Sequence, residues 1–385
     1  VRLATLLRLE ILAPAVLVLA GLADLGLRFL PRDYFSFRSW EALRVGGEAG
    51  PFRPNRRYAT SRAYGDLANL GNLPALREYH AQAVTTDAWG FRNPPALAES
   101  GRVRVILTGS SLTAGTEVAD SQTLAARLSD RLGTGVYNAA LAEPDLSTLR
   151  GLARRLGVAR GVLIFELLED RDAPGPALGG DEPRAGRCPR AIARMTATCR
   201  AYNWAVDQAR VSPLRILSRR SLRRVQNDRW LPNPDRDDVL RARLENGREM
   251  LFQGADAEWQ PSLAAEDRAV RYFSWLERRL AREGIDLLVI LAPRKYTVYG
   301  PLLSAAPSDV DVGARSLERI ARRLADRRVP VVNLTPALRS AARAALAQGR
   351  YIYFRDDTHW NADGIVVVAD AVAPRLAELG RERRP

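Results

Sequence analysis

The sequence predicts an α/β fold, a parallel sheet with helices covering both faces, and two patterns carry that prediction. Short, almost wholly apolar runs such as Val103-Arg-Val-Ile-Leu-Thr108 and Gly161-Val-Leu-Ile-Phe165 alternate with longer stretches of helical character. Continuous apolar runs suit strands buried on both faces, and strands alternating with helices supply the crossovers a parallel sheet needs. A third observation is chemical. The serine turn Gly109-Ser110-Ser111-Leu112-Thr113 follows the first run, and Asp356-Asp357-Thr358-His359-Trp360-Asn361 enters the last helical stretch.

In chain order, strands are expected at 103–108, 135–138, 161–165, 286–292 and 329–334. Helices are expected at 120–132, opened by Asp120 and Ser121, then at 146–156, 265–283, 312–326, 336–348 and 362–379. Between about 171 and 260 the alternation lapses into Arg-rich, Pro-punctuated and helical sequence, read as an insertion or cap. Residues 31–100, rich in Pro, Gly, Asn and Arg, read as a linker and extended lead-in. Its end, Thr86-Asp87-Ala88-Trp89-Gly90-Phe91-Arg92-Asn93, reads as a strand or turn packed beside the main sheet. A chain of 385 residues accommodates this α/β domain, residues 101–385, with an anchor and an insertion.

An apolar share of 46% and a charged share of 26% mark a globular chain, not a disordered one. The formal net charge of +14 is nearly all arginine, since Lys295 is the only lysine. The arginines are scattered, with local clusters at 53–62 and 215–224, whereas a nucleic-acid binder gathers its charge on one helix or arm beside stacking aromatics. The charge therefore reads as a solvated surface or as one facing an anionic lipid or polymer, with no nucleic-acid partner. Cys188 and Cys199 form one disulfide if the domain is exported, or stand as two small unpaired apolar residues. A zinc site would need four ligands, and no histidine or third cysteine is near them in sequence.

Residues 9–30 are long enough to cross a bilayer if Asp24 and Arg28, spaced to pair on one helical face, are tolerated. Residues 1–30 are read as an uncleaved transmembrane anchor. A cleavable signal peptide, cut at Gly21-Leu22-Ala23, is the competing reading. Arg2 and Arg8 precede the segment while Arg28, Arg32, Arg38 and Arg44 follow it, so the positive-inside count does not favour export of the following domain. Val1 fits a non-AUG start codon translated literally, a hint of bacterial origin.

Catalysis by a serine needs a base within hydrogen-bond reach and a carboxylate that fixes the base's tautomer. Ser111 supplies the first group, His359 the second, and Asp357 or Asp356 the third. In open parallel sheets the loops that carry them meet at the carboxyl edge, where ligands bind.

These residues resemble the SGNH/GDSL hydrolase superfamily, which implies a flavodoxin-like three-layer α/β/α sandwich. Residues 109–116 resemble its first block with Ser111 at the nucleophile position, Val136-Tyr-Asn-Ala-Ala140 followed by Pro144 its second, and Asp356-Asp-Thr-His359 its last. The resemblance covers about residues 85–170 and 265–380. A narrower similarity is to membrane-associated SGNH proteins of the alginate O-acetyltransferase type. Leu291-Ala-Pro-Arg-Lys295-Tyr-Thr-Val-Tyr299 is similar to their Pro-x-Lys segment and Asp357-Thr-His359-Trp360 to their Asp-x-His-x-Trp, which selects Asp357 as the acid. The order of the motifs differs: in the alginate enzymes the Asp/His motif precedes the serine, and here it follows.

The resemblance implies a serine acyl esterase or O-acetyltransferase acting on an envelope glycan, anchored in a bacterial inner membrane by a single pass with a periplasmic domain. No metal or organic cofactor is implied. Backbone N–H groups of Ser111 and Ala139 are the expected oxyanion donors, with Asn138 and Lys295 as further binding residues. Two departures stand out: Ser110 occupies the position of the superfamily's Asp, and the oxyanion glycine and asparagine are replaced around Ala139, Ala140 and Glu166-Leu-Leu-Glu169-Asp170. They motivate a reading from another class, a catalytically degenerate accessory or scaffold subunit with a membrane-protein partner.

Several side chains carry a bland reading beside a sharp one. Lys295 binds a carboxylate or sits near the active cleft, or else it belongs to a solvated loop. Trp360 belongs to the core before an acyl pocket. His80 is expected at the surface, Arg92 paired with Asp87, and Glu166 buried against an arginine such as Arg171.

Overall fold

The computed structural model describes residues 2–30, 50–140, 146–169, 196–210, 212–227 and 238–382. In chain order the elements are α1 (Arg2–Leu27), β1 (Arg57–Ala63), α2 (Asp66–Leu70), β2 (His80–Thr85), β3 (Val103–Thr108), α3 (Ser111–Ala114), α4 (Leu124–Leu132), β4 (Gly135–Asn138), α5 (Leu146–Arg155) and β5 (Gly161–Leu168). They continue as α6 (Thr196–Arg210), α7 (Pro213–Asn227), β6 (Val239–Arg243), β7 (Glu249–Gln253), α8 (Gly254–Glu258), α9 (Leu263–Ala281), β8 (Ile285–Ala292), α10 (Lys295–Tyr299), α11 (Val312–Ala325), β9 (Val331–Asn333), α12 (Thr335–Ala347) and α13 (Ala362–Glu382).

The apolar runs pair as a five-stranded parallel sheet in the order β4-β3-β5-β8-β9. Counted along the chain within the sheet, that order is 2-1-3-4-5, the flavodoxin-like winding. Side chains alternate across it with period two. Val105, Leu107, Ile164, Leu288 and Ile290 face one core with α4, α12 and α13. Ile106, Leu163, Phe165, Leu287, Val289 and Leu291 face the other with α5, α9 and α11. The three layers follow from this alternation, because each face of every central strand is apolar and needs a helix over it. Burying each such leucine, isoleucine or valine contributes roughly 1.5–3 kcal/mol.

Residues 51–100, expected as linker and lead-in, carry folded structure. β1 and β2 form an antiparallel pair, with α2 and a short 3-10 turn between them. The stretch 86–93 is a turn knotted around Asp87, whose carboxylate accepts from Trp89 N at 2.9 Å, Phe91 N at 3.0 Å, Asn93 Nδ2 at 3.0 Å and the Tyr137 hydroxyl at 2.6 Å. Burial and the neighbouring Asp87 push the Tyr137 phenol well above its ordinary pKa. The expected Arg92–Asp87 pair does not form, because Asp87 is filled by these donors. Arg92 turns instead to Asp120 at 3.1 Å and to the carbonyls of Ala83 and Val118, both at 2.7 Å, fastening the loop behind α3 to β2.

Of the expected insertion, the described part contains α6, α7 and the antiparallel pair β6-β7. Cys199 is half of a disulfide, so the reading of two unpaired cysteines is not met; Cys188, the chain's other cysteine, lies outside the described residues. The expected anchor segment is helical as α1, and Asp24 pairs with Arg28 at 2.9 Å as its spacing predicts. Asp24 also accepts from Leu214 N at 3.1 Å, tying α1 to α7. Among the described residues no helix is long and apolar enough to cross a membrane, so the transmembrane expectation for residues 1–30 does not find its helix here.

Candidate active site

The turn between β3 and α3 delivers the nucleophile. Gly109 has φ +154, and a Cβ there would lie 2.6 Å from Glu166 Cβ, so only glycine lets this turn pass so close to β5. Ser110 caps α3, its hydroxyl accepting from Leu112 N at 3.2 Å, a task serine and aspartate perform about equally well. Glu166 on β5 is buried, as expected: it accepts from Ser110 N at 2.5 Å and from the Thr113 hydroxyl at 3.0 Å, while Arg171, the arginine expected beside it, lies outside the described residues. The carboxylate thus fixes both ends of the nucleophile turn. β3 and β5 flank the point where the strand order reverses, and at such points open α/β sheets bind ligands.

The loop entering α13 brings the remaining groups. His359 Nε2 lies 2.7 Å from Ser111 Oγ, and His359 Nδ1 lies 2.5 Å from Asp357 Oδ1. Asp357 Oδ1 also accepts from the His359 backbone N–H at 2.9 Å, and its Oδ2 accepts from Asp66 N at 2.7 Å. Asp357 is 0% exposed, so these bonds are its solvation. The histidine ring therefore sits between the hydroxyl and the carboxylate, as general-base activation of a serine requires.

The two neighbouring carboxylates divide their tasks. Asp356 turns away from His359, and its Oδ2 accepts from Gly65 N and Glu78 N, each at 2.8 Å. Burial raises its pKa to about 6. Of the alternatives left by sequence, the one in contact with the imidazole is Asp357.

Lys295 lies beside the triad, where one of its readings put it. It is 2% exposed, neither on a solvated loop nor open to a substrate carboxylate, and its ammonium donates to the carbonyls of Leu251 (2.7 Å), Phe354 (2.7 Å), Arg355 (3.0 Å) and Asp357 (2.8 Å). Burial lowers its pKa to about 7. Trp360 lies in the core as expected, its indole N–H donating to the Tyr353 hydroxyl at 2.8 Å.

The expected oxyanion donors fare differently from one another. The Ala139 N–H is committed to Leu107 O at 2.7 Å, extending the β3-β4 ladder, and so is not free to receive an oxyanion. Asn138 is likewise engaged: Nδ2 donates to Ala114 O at 3.3 Å and Oδ1 accepts from Ala140 N at 3.1 Å. Ser111 N, in the first position of α3, has no acceptor among the described residues, and α-helical geometry leaves such a group without an intrahelical partner. Residues 141–145, including Pro144 of the second block, lie outside the described residues.

Sequence reasoning missed Asp66 and the segment around it. Asp66 N holds Asp357, and its side chain accepts from Thr358 N at 3.3 Å and the Thr358 hydroxyl at 3.4 Å. Asp66, Asp357 and His359 place possible metal-ligating atoms within 4.8 Å of one another, yet each is already committed within the hydrogen-bonded loop. His80, expected at the surface, has a side chain only 15% exposed. It stacks on Phe354 at 4.3 Å, with Glu117 3.9 Å from Nε2. Burial opposes its charge, but Glu117 and the Glu78 carbonyl overcome this and raise its pKa.

A serine, histidine and aspartate stand in hydrogen-bonded series at the switch point of a flavodoxin-like sheet. Residues 247–384, from just before β7 to just past α13, match the family described as SGNH hydrolase-like domain, acetyltransferase AlgX. That match contains Lys295, Asp357 and His359, so the resemblance read from the Pro-x-Lys and Asp-x-His-x-Trp segments holds over this part of the chain. A search of curated proteins found no match to the chain.

Proposed function

We propose that the protein is a membrane-anchored serine acyl esterase or O-acetyltransferase that acts on an envelope glycan. One observation carries the reading: Ser111 Oγ, His359 and Asp357 stand in series at 2.7 and 2.5 Å. The match to an acetyltransferase family supports acyl transfer as the reaction.

Ser111 Oγ attacks the acyl carbonyl carbon while its proton passes to His359 Nε2. The carbonyl oxygen becomes an oxyanion facing the Ser111 N–H at the start of α3. Collapse of the tetrahedral intermediate breaks the bond to the leaving oxygen, which takes the proton from His359, and leaves an acyl-serine. A glycan hydroxyl, or water, then gives its proton to His359 and attacks the acyl carbon, and Ser111 is released with its proton restored. Asp357 stays ionised and holds Nδ1–H throughout.

Ser111→Ala is expected to abolish labelling by a fluorophosphonate probe and turnover of an acetyl ester while leaving the fold intact. Unchanged turnover in this variant would sink the assignment. The second reading, an accessory subunit without chemistry, draws on the commitment of Ala139 N and Asn138 to the scaffold. It predicts an unlabelled wild-type protein that co-purifies with a stoichiometric membrane assembly.

A further inference from the structure

Lys295 is a buried cation that the proposed mechanism does not use. It begins α10, directly after β8, and is the only lysine in the chain. Its four acceptors come from two places: Leu251 on β7, and Phe354, Arg355 and Asp357 on the loop that carries the histidine. An ammonium has three N–H donors, so four carbonyls at 2.7–3.0 Å surround it more than completely. A carbonyl cage of this kind favours a cation at its centre, and the Phe252 ring lies beneath it with its centroid 5.3 Å from Nζ.

Resting on the acyl-transfer reading, we infer that Lys295 is a positioning residue: its ammonium gathers the carbonyls on both sides of Asp356 and so holds Asp357 against His359 Nδ1. Three of its bonds end on residues 354, 355 and 357, within five positions of the histidine. The loop turns sharply over this span, since Phe354 N bonds His359 O at 3.2 Å, and its own carbonyls at 354, 355 and 357 point inward together. Without a central cation Arg355 O keeps its bond from Leu251 N at 2.9 Å, but all three oxygens lose the ammonium donor that draws them together, and they repel one another. The loop would open, and Asp357 would move with it, because its carbonyl is one of the four.

The charged groups facing Lys295 are Asp356 and Asp357 on the loop, Glu78 from the segment before β2, and Arg355, the only one of the four that repels it. Loss of the proton leaves an amine with two N–H groups and a lone pair aimed at an oxygen. Since burial brings the pKa to about 7, the clamp weakens as pH rises through neutrality.

The test uses the full chain with its lysine side chain isotopically labelled, which gives one NMR signal and so reports Lys295 directly. Two readouts are followed across pH: the fluorophosphonate labelling rate of Ser111, and the downfield proton signal of the Asp357–His359 hydrogen bond. Both are expected to fall together with the lysine transition. Lys295→Met should lose the proton signal and label about a hundredfold more slowly, the scale of a 1 Å misplacement. Lys295→Arg, which keeps its charge, should retain the signal at pH values where the wild type has lost it. A folded Lys295→Met protein with the wild-type proton signal would overturn the inference. So would a wild-type signal indifferent to the lysine transition, a readout that serves even if Lys295→Met fails to fold. A wild type that shows the proton signal but takes no label would sink the acyl-transfer reading and leave the positioning role to the proton signal alone.

Discussion

Asp356 and Asp357 are adjacent in sequence and opposite in chemistry. Asp357 gives both oxygens to bonds that need a carboxylate. Asp356 gives Oδ2 to two backbone N–H groups and leaves Oδ1 buried with no partner, so a proton on Oδ1 breaks nothing. Burial, with Asp357 beside it, raises its folded pKa to about 6 against an unfolded value near 3.8. Between those values the folded state binds the proton that the unfolded state has lost, so this contribution to stability is full below about pH 4 and is lost as pH rises through 6. The loss is on the order of 3 kcal/mol. Asp356→Asn keeps an oxygen for Gly65 N and Glu78 N and removes the titration. Denaturant midpoints measured from pH 4 to 7 should fall less steeply for the variant than for the wild type. Parallel curves would show that Asp356 does not titrate in that window.

At the scale of elements, the segment between β1 and β2 is a strap across the catalytic loop. Gly65 N, Asp66 N and Glu78 N all end on the carboxylates of Asp356 and Asp357, and Ala68 N bonds the Asp356 carbonyl at 3.1 Å. The approach is close enough that a Cβ on Gly65 would overlap the Asp356 backbone carbonyl and lie 2.6 Å from its Cγ. Gly65→Ala is therefore expected to lift the strap and slow labelling of Ser111 by about ten- to a hundredfold. Its cost in stability should be about 1–3 kcal/mol. Wild-type labelling in this variant would mean the strap covers the loop without aligning it. None of this was legible in the sequence, for a physical reason. β1 is Arg57–Ala63 with an irregular register and mixed exposure, so it lacks the apolar period that marks β3, β5 and β8. Its anchoring bonds join backbone to side chain across 291 residues. The central strands were legible because both of their faces are buried, and the triad residues because Ser111 follows the apolar run of β3 and His359 stands in a short acidic run just before α13. The oxyanion expectation at Ala139 failed where sequence could not tell whether an N–H after a strand continues the ladder.

For the whole molecule, the proposed membrane anchoring raises the question of which side would hold the α/β domain, and two features point in opposite directions. Arginines at 28, 32, 38 and 44 follow α1 while only Arg2 and Arg8 precede its apolar stretch, a distribution that would keep the domain inside. The disulfide at Cys199 belongs to an oxidising compartment, which would place the domain outside the cytoplasm. We take the disulfide as the stronger guide, because a cysteine placed to bridge serves the fold only in an oxidising compartment. The arginine following α1 most closely is also neutralised: Arg28 is bound to Asp24, whose carboxylate additionally accepts from Leu214 N. Along α1, Leu12, Val16, Leu17, Val18, Leu19, Leu22 and Leu25 are all exposed, an apolar surface that favours lipid over water. We therefore expect protein expressed from its own coding sequence in a Gram-negative host to sediment with membranes. Protease added to intact spheroplasts should remove the domain, and fully denatured, unreduced protein should resist thiol alkylation. A domain protected until the membrane is permeabilised would place it inside and return the arginine count to first importance. Free thiols in that protected domain would independently exclude an oxidising compartment.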